Sequence, residues 1–380
     1  LFAVSTSIMI AKYLTTRTVR DGYFIIGISM TFVTSLGISM ISYFLMPQLL
    51  SFLGATGSIA ILAEKYLKIQ LFSNVISALG YTLTSCIRAF GYPRIEMILT
   101  GLAVLVNIVF NSIFVFRYDM GFQGLAYGTF VSEIFCCFAA VFWLFKHQLL
   151  WEKCQITWRQ LKKCSFELLK LGIAQTIIQS LAGCTGFFVN QSLMLHTSLD
   201  YVAVWNVIQK IYTLLLMPVV GITQGVQTII AYFNGKRDEN KKKKALMTTI
   251  CYTVIYGLIG MAFVFFFGKN IVLLFATSDT IYQLGNGILH IVFLTFPLMG
   301  IFYTIMTLYE VTGHEGKAVL LILARQVFLI IPLAYLLPIV FRGNVFAVFW
   351  AVPIADIMAL LIAVVMQHKR RIYENFSDRR

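Results

Sequence analysis

Residues 22–63 contain no Asp, Glu, Lys or Arg, and most of the chain is divided into further apolar runs that are nearly as free of charge. A bilayer crossing takes roughly 20 apolar residues. A water-soluble fold needs polar positions at helical or strand spacing to cover its surface. Here 59% of residues are hydrophobic and only 12% are charged, against about half and about a quarter in a soluble domain. That composition excludes a soluble enzyme and a disordered tail. An outer-membrane barrel would alternate apolar and polar residues over about 10 positions, and the runs here are unbroken. The fold class expected is all-α: a polytopic bundle of transmembrane helices.

The runs place the spans. Residues 1–11 form a partial span. Residues 22–63 hold one full helix followed by a break near Pro47. Whole spans follow at 69–87, 97–116, 122–145, 171–195, 202–233, 245–268, 280–309, 318–341 and 343–367. About 11 spans are therefore expected here. Of the 30 Lys and Arg, 23 fall on one set of alternate loops, five on the other, and two, Lys210 and Arg325, inside spans. Cytoplasmic loops collect basic residues, so the C-terminus is expected in the cytoplasm, and the net charge of +14 needs no nucleic-acid partner. The Lys241–Lys244 tract fits the same positive-inside anchor, or a contact with anionic lipid. The seven cysteines show no metal or disulfide spacing and read as buried free thiols.

An internal repeat is visible. "YTLTSCIRAFG" at 81–91 is similar to "YTIMTLYEVTG" at 303–313, and Ile10-Ala11 matches Ile230-Ala231, both at an offset of about 220 residues. Both copies end at a cytoplasmic loop, which makes the repeats parallel, as in several transporter folds. Two parallel lobes of six helices are expected. The N-terminal lobe covers 1–145, a cytoplasmic link 146–170, the C-terminal lobe 171–367 and a cytoplasmic tail 368–380. The counterpart of the span at 171–195 would lie before residue 1, so a first helix and part of a second are expected to precede the chain.

The stretch 107–133, "NIVFNSIFVFRYDMGFQGLAYGTFVSE", resembles the fifth-to-sixth helix signature of the MATE (multidrug and toxic compound extrusion) family. "MPVVGITQGVQTIIAYFNGKRDENKKKKAL" at 217–246 resembles its eighth-helix motif, and "LARQVFLIIPLAYLLP" at 323–338 its eleventh helix. The resemblance runs through nearly the whole chain and points to the DinF/MepA-like bacterial branch. It implies a multi-pass antiporter of the cytoplasmic membrane, working as a monomer. Such an antiporter exports hydrophobic, often cationic drugs against inward Na⁺ or H⁺ and uses no other cofactor. In the family pattern, the positions of Asn107, Asn111 and Thr129 belong to a cation site. The pattern's acidic residue is Asn at position 111.

Ionisable groups at mid-bilayer are costly and functional by default. Asn107 and Asn111 are one turn apart, as are Thr129 and Glu133. Glu133 could restore the missing charge, or the amides could simply bridge helices. Asp356, behind Pro353, needs a proton, a cation or a basic partner. His290 could exchange protons or merely pack. These six residues are the candidates for cation coupling. Gln175, Asn190, Asn206, Gln209, Lys210 and Gln227 are candidates for a substrate cavity, which would be mostly apolar with a few polar groups. Lys210 would repel a cation, attract an anion or pair with Asp356. Glu310 and Arg325 are expected to form a structural ion pair. Gly221 and Gly225 form a GxxxG that would let helices approach closely, and Pro218, Pro297, Pro332 and Pro353 should kink their spans.

The competing function is a flippase or exporter of lipid-linked oligosaccharide, with Lys210 and Arg325 on an anionic head group. An enzyme is not expected. The five His are scattered, and the chain has no HExxH, GxSxG or GxxxxGK[ST].

Overall fold

The structure is a computed structural model that describes residues 2–52, 57–147, 149, 158–197, 199–275, 279–341, 344 and 346–377. Lys153, Cys154, most of the expected link between 148 and 157, Arg342, Arg379 and Arg380 lie outside the described residues. All regular structure among the described residues is helical. The chain forms two compact units, 1–173 and 174–380.

The first unit holds α1 (Phe2–Lys12), α2 (Arg17–Phe44), the short α3 (Met46–Phe52), α4 (Gly57–Ala89), α5 (Pro93–Ser112) and α6 (Gly121–Lys146). α5 runs on through a π-helical turn, Ile113–Arg117. α7 (Trp158–His196) starts in this unit, well before the expected 171, and the boundary at 173 falls within it. Its first turns bury Cys164, Leu168 and Leu171 against Phe2, Met9, Tyr23 and Ile26. Tyr23 donates a hydrogen bond to Glu167.

The second unit continues with α8 (Leu199–Gly235), α9 (Glu239–Phe275), α10 (Asp279–Phe293), α11 (Phe296–Val311), α12 (Glu315–Leu323), α13 (Ile331–Val340) and α14 (Ala347–Ser377). A π-helical segment, Ala324–Ile330, joins α12 to α13. The core gathers Trp205, Ile208, Phe293, Phe296, Phe349 and their neighbours, with a second cluster around Met299, Phe302 and Tyr309.

Among the described residues eight helical stretches, with Glu315–Val340 counted as one, are long and apolar enough to cross a membrane, and α10 with α11 makes a ninth if the pair, bent by 44°, is one span. The bend lies at Leu294–Thr295, just before Pro297, where the sequence reads as one span. α1 is short. α4 has the length but carries Ser73, Asn74, Ser77, Thr82, Thr84 and Ser85 along its sides, which lowers its hydropathy. With these two, the helices follow the eleven uncharged runs in order. Large apolar side chains such as Val104, Phe116, Phe138 and Phe266 point outward, and α5 has no buried residue at all. In a bilayer such faces meet lipid.

The two repeat segments end alike. Gly91 closes the α4 copy at φ +97° and Gly313 the α11 copy at φ +78°, a left-handed conformation that glycine adopts without a Cβ penalty. Pro218 and Pro353 lie inside continuous helices, while Pro297 and Pro332 start new ones. The GxxxG expectation fails. A Cβ added at Gly221 or Gly225 would meet nothing within 4 Å, because that face of α8 has no neighbour among the described residues. Cys184 and Cys251 are exposed rather than buried.

Candidate functional site

In the first unit α5 and α6 approach closely at Gly128. A Cβ there would overlap the Asn111 side chain and lie 2.7 Å from its backbone nitrogen. This contact brings two polar faces together. Asn111 Nδ2 donates to Asn107 Oδ1 at 3.0 Å. Asn107 Nδ2 donates to Thr129 Oγ1 and Ser132 Oγ, each at 3.3 Å. Both hydroxyls spend their own protons on backbone carbonyls of α6, which fixes them as acceptors. Asn111 Oδ1 is buried without a partner. An orphaned acceptor inside a membrane helix is costly.

Glu133 lies one turn further along α6 and turns to α4, where Ser73 and Ser77 hydrogen bond its carboxylate. No basic side chain pairs with it among the described residues. A cavity of about 250 Å³ is bordered by Ser77, Thr84, Asn107, Ser132 and Glu133. The carboxylate on α6 and the asparagine on α5 thus face one space, which α4 closes with Ser77 and Thr84. Sequence reasoning missed Ser73, Ser77 and Ser132. The fourfold spacing of Ser73 and Ser77 was a signal for the first two.

The second unit disposes of its charges differently. Arg325 Nε donates to Asp356 Oδ1 at 2.8 Å, and Thr295 Oγ1 to Asp356 Oδ2 at 2.8 Å. The pair is almost fully buried, with side-chain exposures of 7% and 0%. The expected Glu310–Arg325 pair is therefore wrong, and Asp356 has a basic partner rather than a free carboxylate. The π-helical segment is the reason. Arg325 sits at its start, where a wider turn re-aims side chains away from their α-helical bearing. Glu310, also buried, accepts from Gln227 Nε2 at 2.7 Å and is bonded by Gln175. Lys210 is exposed and pairs with no carboxylate among the described residues, so its pairing with Asp356 is also excluded.

The remaining candidates do not converge. Asn190 Nδ2 donates to Asn206 Oδ1 at 3.4 Å. Gln209 borders a cavity beside Arg325. Gln175 and Gln227 belong to Glu310. His290 stacks on Phe265 at 4.5 Å between ring centroids, and its Nε2 has no partner.

Comparison with known proteins places this geometry. The MatE family model matches residues 2–113 and 176–336. The chain is 25% identical over 373 residues to the multidrug export protein MepA of Staphylococcus aureus (strain NCTC 8325 / PS 47), spanning 98% of this chain and 82% of that protein. It is 24% identical over 333 residues to MepA of Staphylococcus saprophyticus, spanning 87% and 72%. Among solved structures, the outward-facing conformation of a multidrug resistance MATE family transporter of the MOP superfamily superposes with a TM-score of 0.91 at 20% identity, covering 97% of this chain and 83% of that one. A mutant form of the Vibrio cholerae MATE transporter VcmN superposes with a TM-score of 0.92 at 18% identity, covering 98% and 85%. The chain belongs to the MATE family and is a multi-pass membrane transporter, not an enzyme.

Proposed function

We propose that this chain is a secondary antiporter that exports hydrophobic, often cationic drugs from the cell in exchange for Na⁺ or H⁺. It would sit in the cytoplasmic membrane as a monomer with its C-terminus in the cytoplasm. The observation that carries the reading is Glu133, a carboxylate among apolar helices that is held by hydroxyls alone and shares a cavity with Asn107. A charge so placed is stabilised by taking up a cation. Asn107 and Ser132 border the same cavity and add oxygen donors, and Asn111 and Thr129 adjoin Asn107 through hydrogen bonds. Such a set suits a hard cation, and the carboxylate alone suits a proton.

The two units would act as the two lobes of alternating access, with α7 carrying the chain from one to the other. A ligand moves such an equilibrium only through different affinity for the two states. The inward cation supplies that difference where Glu133 is desolvated in one state and hydrated in the other. The export of drugs by the S. aureus relative supports the substrate class. The lipid-linked flippase reading has less support, because Lys210 does not border the cavity beside Arg325, so the two basic groups do not line one site.

The test is ethidium movement in proteoliposomes under an imposed Na⁺ gradient and, separately, a pH gradient. Export driven by one gradient and abolished by its collapse is expected, and it names the ion. Absence of movement under both contradicts the reading.

A further inference from the structure

The second unit contains a pocket that the cation-coupling reading does not use. Its volume is about 120 Å³. Exposed Thr213 lies at its rim, and Arg325 and Ile330 are buried at its base. Trp205, Tyr212 and Tyr303 supply aromatic walls. The buried donors of this pocket are not all spent. Both oxygens of Asp356 are already occupied, one by Arg325 Nε and one by Thr295, and Asp356 does not border the pocket. The guanidinium has five N–H donors, and Nε–H is the one that Asp356 engages. Beside it the Tyr212 hydroxyl, on a side chain only 9% exposed, has no acceptor for its proton. Gln326 binds Thr185 through its oxygen at 3.3 Å and leaves its NH₂ group over. These donors meet a space walled by rings and bordered also by Gln209, Thr213 and Tyr303.

We propose that this pocket is a substrate subsite for aromatic carboxylates, with the free edge of Arg325 and the Tyr212 hydroxyl binding the carboxylate and the aromatic walls holding the ring. A guanidinium can serve a second carboxylate through its outer N–H pair, since the fork geometry matches two oxygens. Arg325 lies in the π-helical segment at 324–330, and such segments are frequent at functional sites. The volume admits one ring bearing an acid group and is too small for a sugar pyrophosphate. The assignment deepens the export reading and rests on it for the word substrate; the binding site itself does not.

The experiment compares benzoate with the neutral, similarly shaped benzamide on the purified, reconstituted chain, by equilibrium binding and by competition with ethidium export. Wild type should prefer the benzoate. Tyr212→Phe removes only the unaccepted hydroxyl and should lower the benzoate-to-benzamide affinity ratio by roughly tenfold, the scale of a hydrogen bond to a charged group. Arg325→Lys retains the charge facing Asp356 but loses the fork, and it should lower the ratio further. If Arg325→Lys fails to fold, Tyr212→Phe decides alone. An unchanged ratio in a folded Tyr212→Phe variant, or no benzoate preference in wild type, overturns the subsite. Ethidium export with an insensitive ratio sinks the subsite and leaves the export reading intact. A Tyr212-dependent ratio without gradient-driven movement of ethidium does the reverse.

Discussion

Glu133 in the first unit and Asp356 in the second are both carboxylates set among apolar helices, and they are satisfied by opposite means. Ser73 and Ser77 hold Glu133, and no cation of the protein neutralises it among the described residues. Arg325 neutralises Asp356, and Thr295 takes its second oxygen. A paired, fully buried carboxylate stabilises one packing of the helices around it. A carboxylate held only by hydroxyls keeps its charge free for a transported ion. On the proposed function, the difference separates a structural charge from a coupling one, though both occur as a lone acid in an apolar run.

The contrast breaks most sharply at the ion pair. Arg325→Met alone should destabilise the second unit by about 3–5 kcal/mol, because it strands a buried charge. Combining it with Asp356→Leu should return most of that loss, since an apolar pair of similar volume is often neutral or better. Thermal unfolding of both variants in detergent checks this, and equal losses in the two would refute the pair's structural role. Gly128→Ala comes next. Its Cβ must push α5 away from α6 at Asn111, a strain of about 1–3 kcal/mol. Ethidium export should fall with it, because the Asn107–Thr129 contact depends on that approach.

The smallest effect lies outside the membrane. Asp238 caps α9 by accepting the Lys241 backbone N–H at 3.1 Å. That bond, with the Lys241 ammonium, holds its carboxyl below the usual range. Its folded value being depressed, the contribution is present above the ordinary carboxylate range and is lost as pH falls through the folded value. Asp238→Asn should flatten that slight acid dependence in a melting series, and an unaltered pH profile would count against the cap.

Much of the scaffold was legible because charge-free runs and bilayer thickness leave little freedom. The order of spans and the break near Pro47 follow from them. The bend before Pro297 was expected of that proline, but not the break into α10 and α11, since a proline can kink a helix or start one. The pair Asn107 and Asn111 could be read from helical spacing, and its juxtaposition with Thr129 entered through family resemblance. The partner of Arg325 could not be read. A period of 3.6 residues gives its direction only on a regular helix, and residues 324–330 are π-helical. Ser73 and Ser77 were passed over because neither carries charge, although their hydroxyls define where Glu133 points. The GxxxG of α8 shows the converse: spacing alone did not say whether a neighbour faces it.

The central claim is that the first unit, through Glu133, takes up the coupling ion. Na⁺ binding and proton release should be measured on the purified, reconstituted chain, for wild type and for Glu133→Gln, which keeps the hydrogen-bonding shape and removes the charge. The account predicts that wild type binds one of the two ions and that Glu133→Gln loses that uptake at an unchanged melting temperature. Uptake of the same ion with the same affinity by folded Glu133→Gln would contradict it.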